Sequence, residues 1–234
     1  MRPGPPSALV ALICVTALIG CGADETTPTS TAAEPTSADT TLVAALGDSI
    51  TAGSPLWDPD PAIRARIGPA LDERSQFEYW LERDDPTVEY RNCGVFGERT
   101  DEIAQRLEVC VDGADALIVQ GGINDIAQAR PAADAADDLQ SMVRAALDLG
   151  VPVALVDVLP WSNGHPAADA PIAELNREIE RIGVEEDVPV LPFHDTLEDP
   201  AEPGTMAPGL TNDGDHPSIA GYRLLAEQAF ADFP

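Results

Sequence analysis

Lysine is absent from the 234 residues, so all thirteen basic side chains are arginine, against forty-one carboxylates and a formal net charge of −28. Nucleic-acid binding requires clustered cations, and a balance this acidic excludes it as the main function. Histidine is nearly as scarce, with three copies, which restricts the candidates for an imidazole base to His165, His194 and His216. Four cysteines are present, none at metal-type spacing, so the chain is expected to need neither metal nor cofactor. Nor is there a run of about twenty apolar residues of the kind that spans a bilayer. The longest apolar stretch, Ala8 to Ile19, is too short for that and follows Arg2, which reads as a secretion leader.

The leader predicted over residues 1–20 ends in Leu18-Ile19-Gly20-Cys21. This resembles a bacterial lipobox and implies cleavage before Cys21, acylation of its sulfur and attachment of an exported protein to the membrane through that lipid alone. Residues 21–40 are rich in Thr, Ser, Ala and Pro and hold no aromatic residue, so they cannot bury enough surface to fold and read as a tether. About 190 residues remain, 41–234, enough for one domain with a sizeable core. Cys14 leaves with the leader and Cys21 takes the lipid, so the domain keeps Cys93 and Cys110. In an oxidising compartment these two close a short loop as a disulfide, or else stay as two buried thiols.

Within the domain, strand-length apolar runs occur at 41–46, 88–93, 116–121, 151–159 and 188–193. Helical patterns separate them at 75–83, 99–109, 131–149, 167–183 and 218–232, with Pro131 suited to a helix start and Gly150 to a stop. Continuous apolar strands alternating with amphipathic helices predict a three-layer α/β/α domain around a five-stranded parallel sheet. Residues 54–74 read as a long irregular segment, and Trp57 within it suits either stacking on substrate or packing inward. Trp161 poses the same choice.

Polar turns follow the predicted strands. Gly47-Asp48-Ser49 ends the first, and Asn92 to Thr100 with Gly97 at its centre follows the second. Gly122-Ile123-Asn124-Asp125 follows the third, and Asp213-Gly214-Asp215-His216-Pro217 precedes the last helix. In a parallel α/β sheet all such turns converge on one edge, where ligands bind. A serine hydroxyl there becomes a nucleophile when a base accepts its proton. His216 is favoured as the base because it is expected to begin the last helix, with Pro217 in the first turn, and because Asp213, three residues earlier, can bond its Nδ1, whereas the adjacent Asp215 should point elsewhere. Asp48 and Asp125 read as turn-holding residues.

In order and spacing these four turns resemble the four blocks of the SGNH hydrolases, also called GDSL-type esterases and lipases. The resemblance covers essentially the whole domain. It implies a flavodoxin-like strand order of 2-1-3-4-5, a catalytic set of Ser49, Asp213 and His216, and an oxyanion hole made by the N–H groups of Ser49 and Gly97 and the side-chain amide of Asn124. The expected activity is hydrolysis of a small-molecule or carbohydrate ester through an acyl-enzyme, with short acyl groups preferred. Lipase, lysophospholipase and thioesterase activities belong to the same family. A solute-binding lipoprotein is the alternative from another class, since a lipobox, a tether and an α/β domain describe that too.

Overall fold

A computed structural model of the protein describes residues 40–230. The predicted leader, Cys21 and all of the tether except Thr40 lie outside the described residues. The five strands are β1 (Thr41–Gly47), β2 (Val88–Gly94), β3 (Ala116–Val119), β4 (Val153–Val156) and β5 (Val190–Leu191). They form one parallel sheet in the order β2-β1-β3-β4-β5, with Leu46 beside Cys93 and Val43 beside Ala116. The expected α/β class and 2-1-3-4-5 order are therefore present.

Among the described residues, ten α-helices surround the sheet: α1 (Ser49–Ala52), α2 (Pro61–Ile67), α3 (Phe77–Asp84), α4 (Thr100–Ala104), α5 (Leu107–Val111), α6 (Ile123–Ala127), α7 (Ala132–Asp148), α8 (Asp169–Glu186), α9 (Phe193–Leu197) and α10 (Ile219–Gln228). Side chains alternate across a strand, and both faces here are apolar. Ala44, Leu46, Leu117, Val119, Val153 and Leu155 face one core, which α4, α5, α7 and α8 cover. Val43, Ala45, Ile118, Ala154 and Val156 face the other, beneath α1, α3, α9 and α10. The helices that follow β1 and those that follow β3 thus lie on opposite faces of the sheet, and a crevice opens between them at the carboxyl ends of those strands.

Several predicted boundaries move for identifiable reasons. β4 and β5 are shorter than the apolar runs at 151–159 and 188–193, because Pro152, Pro189 and Pro192 have no N–H to give the ladder. The pattern at 99–109 divides into α4 and α5 at Gln105-Arg106. Segment 54–74 is not wholly irregular. It contains α2, started by the Asp60 side chain accepting from Ala62 N–H and by Pro61 in the first turn. His216 does not begin α10. Pro217 disfavours helical backbone in the residue before it, and the helix starts only at Ile219, capped by Ser218 Oγ accepting from Gly221 N–H at 3.1 Å. Cys93, at the end of β2, and Cys110, in α5, form a disulfide.

Glu78, on the inner side of α3, is a residue the core does not accommodate well. It is 3 % exposed and neither carboxyl oxygen has a hydrogen-bond partner. Burial holds its pKa well above the ordinary glutamate range, and the neighbouring Glu82 adds to the effect. The folded state must therefore carry either a desolvated charge or an extra proton, and this destabilisation grows as pH rises above the unfolded-state pKa. Glu78→Met is expected to raise the free energy of unfolding by about 1–3 kcal/mol at pH 8 and by distinctly less at pH 5. Urea denaturation at the two pH values measures this, and an equal effect at both would contradict it.

Candidate active site

The turn after β1 places Ser49 at the first position of α1, so its N–H is among the donors that a helix start leaves unpaired. Asp48 caps this helix, its Oδ1 accepting from Ile50 N–H at 2.9 Å. Burial raises the Asp48 carboxyl to about 6, although the Ile50 bond opposes the shift. Gln120, just beyond β3, ties the turn to the sheet by accepting from Asp48 N–H at 3.1 Å and Thr51 Oγ at 2.9 Å. Gly94 permits the close approach of α1 to β2, since a Cβ there would fall on the backbone nitrogen of Ala52. Ser49 is consequently held on rigid backbone with its side chain at the crevice.

The loop before α10 brings His216 to the same place. His216 Nε2 lies 3.1 Å from Ser49 Oγ, and its Nδ1 lies 2.9 Å from Asp213 Oδ2. Asp213 Oδ1 meanwhile accepts from the backbone N–H groups of Asp215 and His216 at 2.9 and 2.8 Å. Partial burial pushes the Asp213 pKa up, but the His216 ring and those two N–H groups outweigh it and hold the carboxyl below its ordinary value. Asp215 points the other way. Its Oδ1 accepts from Trp161 Nε1 at 2.7 Å and lies 3.0 Å from His165 Nε2, while the Trp161 and His165 rings stack at 3.9 Å. Of the two carboxylates, Asp213 reaches the His216 ring and Asp215 reaches Trp161 and His165.

The loop carrying Gly97 and the turn carrying Asn124 meet through Glu98. Gly97 has φ +81°, which side-chain-bearing residues rarely adopt, and Asn124 Nδ2 donates to the next carbonyl, that of Glu98, at 3.0 Å. Two arginines fix this loop. Arg106 donates to Glu98 Oε2 and to the carbonyls of Cys93 and Gly47, joining the ends of β1 and β2 to the loop. Arg130 pairs with buried Asp125 and with Asp138, and Asp125 in turn accepts from Thr100 N–H at 3.0 Å. Asp125 therefore locks the Asn124 turn to the Gly97 loop.

The resulting cleft, about 130 Å³, is lined by Ser49, Phe96, Ile123, Asn124, Trp161 and His216 among others. Trp161 lies at this cleft, held by Asp215, whereas Trp57 does not. Trp57 sits under the Arg64 guanidinium, 4.8 Å from its ring, and lines a separate recess. The sequence reading missed Phe96, which is 63 % exposed and stacks on the His216 ring at 6.1 Å between centroids. An aromatic next to Gly97 in an otherwise polar turn was the available signal. It also missed Arg106 and Arg130, for which no periodicity gives a signal. His194 lies elsewhere, its N–H bonded to Asp157 Oδ1 at 2.7 Å. With Asp195 and Glu198 it forms the one trio among the described residues whose atoms lie close enough to share a metal ion, within 4.8 Å of one another.

Comparison with known proteins gives the same picture. No curated protein matches the chain. Among solved structures, the chain is similar to a member of the lipolytic protein G-D-S-L family from Veillonella parvula, with TM-score 0.67 and 19% identity over 83% of this chain and 98% of that one. It is similar also to the lipase/acylhydrolase from Enterococcus faecalis, with TM-score 0.63 and 23% identity over 80% and 92% of the two chains. A GDSL-like lipase from Bacteroides thetaiotaomicron gives TM-score 0.63 and 21% identity over 84% and 88%. These likenesses concern the fold. The model of the GDSL-like lipase/acylhydrolase family, however, matches residues 45–224, a span that holds every crevice residue described above. The chain accordingly belongs to the GDSL-like lipase/acylhydrolase family and is an ester-hydrolysing enzyme.

Proposed function

We propose that the crevice is a serine esterase centre that acts through an acyl-enzyme and requires no metal. The observation carrying this reading is the unbroken chain Ser49 Oγ, His216, Asp213, with contacts of 3.1 and 2.9 Å. Asp213 bonds Nδ1–H, which fixes the tautomer with Nε2 free to accept. Ser49 Oγ attacks the ester carbonyl carbon while its proton passes to His216 Nε2. The tetrahedral oxyanion is met by the N–H groups of Ser49 and Gly97 and by Asn124 Nδ2, which turns from Glu98 O to the stronger acceptor. On collapse the carbon–alkoxy oxygen bond breaks and His216 returns the proton to the departing alkoxide. Water then repeats the sequence on the acyl-Ser49 ester.

A cleft of about 130 Å³, bounded by Ile123, Ala127 and Trp161, suits short acyl groups. The enzyme is proposed to work outside the cytoplasm, held at the membrane by a lipid on Cys21 and reaching its substrate on the 21–40 tether. The leader pattern and the lipobox-like Leu18 to Cys21 support that placement.

Covalent labelling by a fluorophosphonate is expected for the full chain and is expected to vanish in Ser49→Ala; an unreactive wild type would count against the mechanism. Asp213→Asn should lower kcat by up to about 10⁴, and Asn124→Ala by about 10²–10³. Asp215→Asn should cost far less, and steady-state kinetics showing the reverse order would displace Asp213 from its role. Expressed in a bacterium that matures lipoproteins, the protein should fractionate with membranes and Cys21→Ala should not carry lipid; unlipidated wild type would refute the anchor.

A further inference from the structure

Beside the catalytic cleft lies a second hollow of about 320 Å³, walled by Pro55, Trp57, Ile63, Ile67 and Phe96, with Arg66 also lining it. It is more than twice the volume of the cleft and its lining is largely hydrocarbon. Phe96 belongs to both spaces. One ring therefore forms a wall of the catalytic cleft, stacks on His216 and continues into the hollow.

The helix that forms the far wall has little other purpose. Helix α2 buries none of its residues, so it contributes nothing to either core. Ile63 and Ile67 are four residues apart and share one helix face, and that face looks onto the hollow. Asp60 and Pro61 start the helix, while Arg64 donates to the carbonyls of Asp58 and Pro59 at 2.7 and 2.8 Å and lies over Trp57. The segment is thus firmly built although its apolar side covers no core. Asp58, in the lining, already accepts through its Oδ1 from Asp60 N–H at 2.8 Å. Ser54 and Arg66 are the other polar residues of the wall, fewer groups than the array of donors and acceptors that a sugar would need.

Which half of an ester reaches this hollow follows from the chemistry. The alkoxide must leave against His216 Nε2 to collect its proton, and Phe96 is the ring stacked on His216. The acyl group stays on Ser49 and is directed to the small space beside Ile123, Ala127 and Trp161. We propose that the hollow between α2 and Phe96 receives an apolar alkyl or aryl group on the alcohol side of the ester, so that Trp57, Ile63, Ile67 and Phe96 set leaving-group specificity. This rests on the serine esterase reading above. The preferred substrate class is then a short-chain acyl ester of a bulky hydrophobic alcohol, in place of an acetylated carbohydrate.

Two series of substrates test this with the full chain. In the first, the acyl group is kept as acetyl and the alcohol is lengthened from ethyl through butyl to hexyl, with an acetylated monosaccharide alongside. In the second, the alcohol is kept as p-nitrophenol and the acyl group is lengthened from acetyl to octanoyl. The value of kcat/KM is expected to rise about tenfold or more from ethyl to hexyl acetate, and to fall along the acyl series. The double substitution Ile63→Ser with Ile67→Ser should lower the hexyl-to-ethyl ratio by about tenfold. Fluorophosphonate labelling of that variant checks that the catalytic centre is still assembled. A rise along the acyl series, preference for the sugar ester, or an unchanged ratio in a variant that still labels would each overturn the alcohol-side assignment while leaving the esterase mechanism standing. Failure of the wild type to label or to hydrolyse any ester would overturn both.

Discussion

The Tyr222 hydroxyl, fully buried in α10, donates to the Ile50 carbonyl in α1 at 2.9 Å. Few bonds in the molecule have wider consequences. Ser49 and His216 are 167 residues apart in sequence, and their side chains can meet only if α1 and the loop before α10 hold a constant separation. Burial raises the Tyr222 phenol well above the ordinary tyrosine range, which favours the protonated form that donates this bond. The aromatic cluster of Phe77, Phe193 and Phe230 packs in the same core and leaves Tyr222 no room to withdraw. Apolar packing thereby sets a polar distance several ångströms away.

On the opposite side of the crevice the corresponding task falls to arginine. The chain has few cations, and it places Arg106 and Arg130 where each bonds several partners at once. A planar guanidinium can bridge a carboxylate and two carbonyls in fixed directions, which an ammonium cannot reproduce. Arg106 satisfies the carbonyls at the ends of β1 and β2, and Arg130 neutralises the buried Asp125. Both cations therefore compensate groups that would otherwise be left unpaired where loops leave the sheet.

Much of this was legible in the sequence. Apolar runs interrupted by amphipathic stretches identify a parallel sheet, and four polar turns at strand exits identify the crevice. Ser49, Gly97, Asn124, Asp213 and His216 all meet there. What escaped has physical causes. Residues 54–61 contain three prolines, and this punctuation hides the short helix that begins at the last of them. Prolines also cut β4 and β5 below the length of their apolar runs, because hydropathy does not register a missing N–H. Phe96 and Arg106 act through contacts between distant loops, and no local pattern encodes such contacts. Trp57 was singled out for its ring alone. The structure puts it beside α2, outside the catalytic cleft.

The loop that presents Gly97 is fastened at its two ends by unlike chemistry. At one end Cys93 is joined covalently to α5, and at the other Thr100 is held by Asp125 with its arginine partner. A reductant would open the first fastening and leave the second untouched, and because Asp125 is fully buried high salt screens that second fastening little. For a protein proposed to work outside the cytoplasm, the arrangement is a form of redundancy. Neither a reductant nor high salt releases both ends of the strip of backbone that carries Gly97.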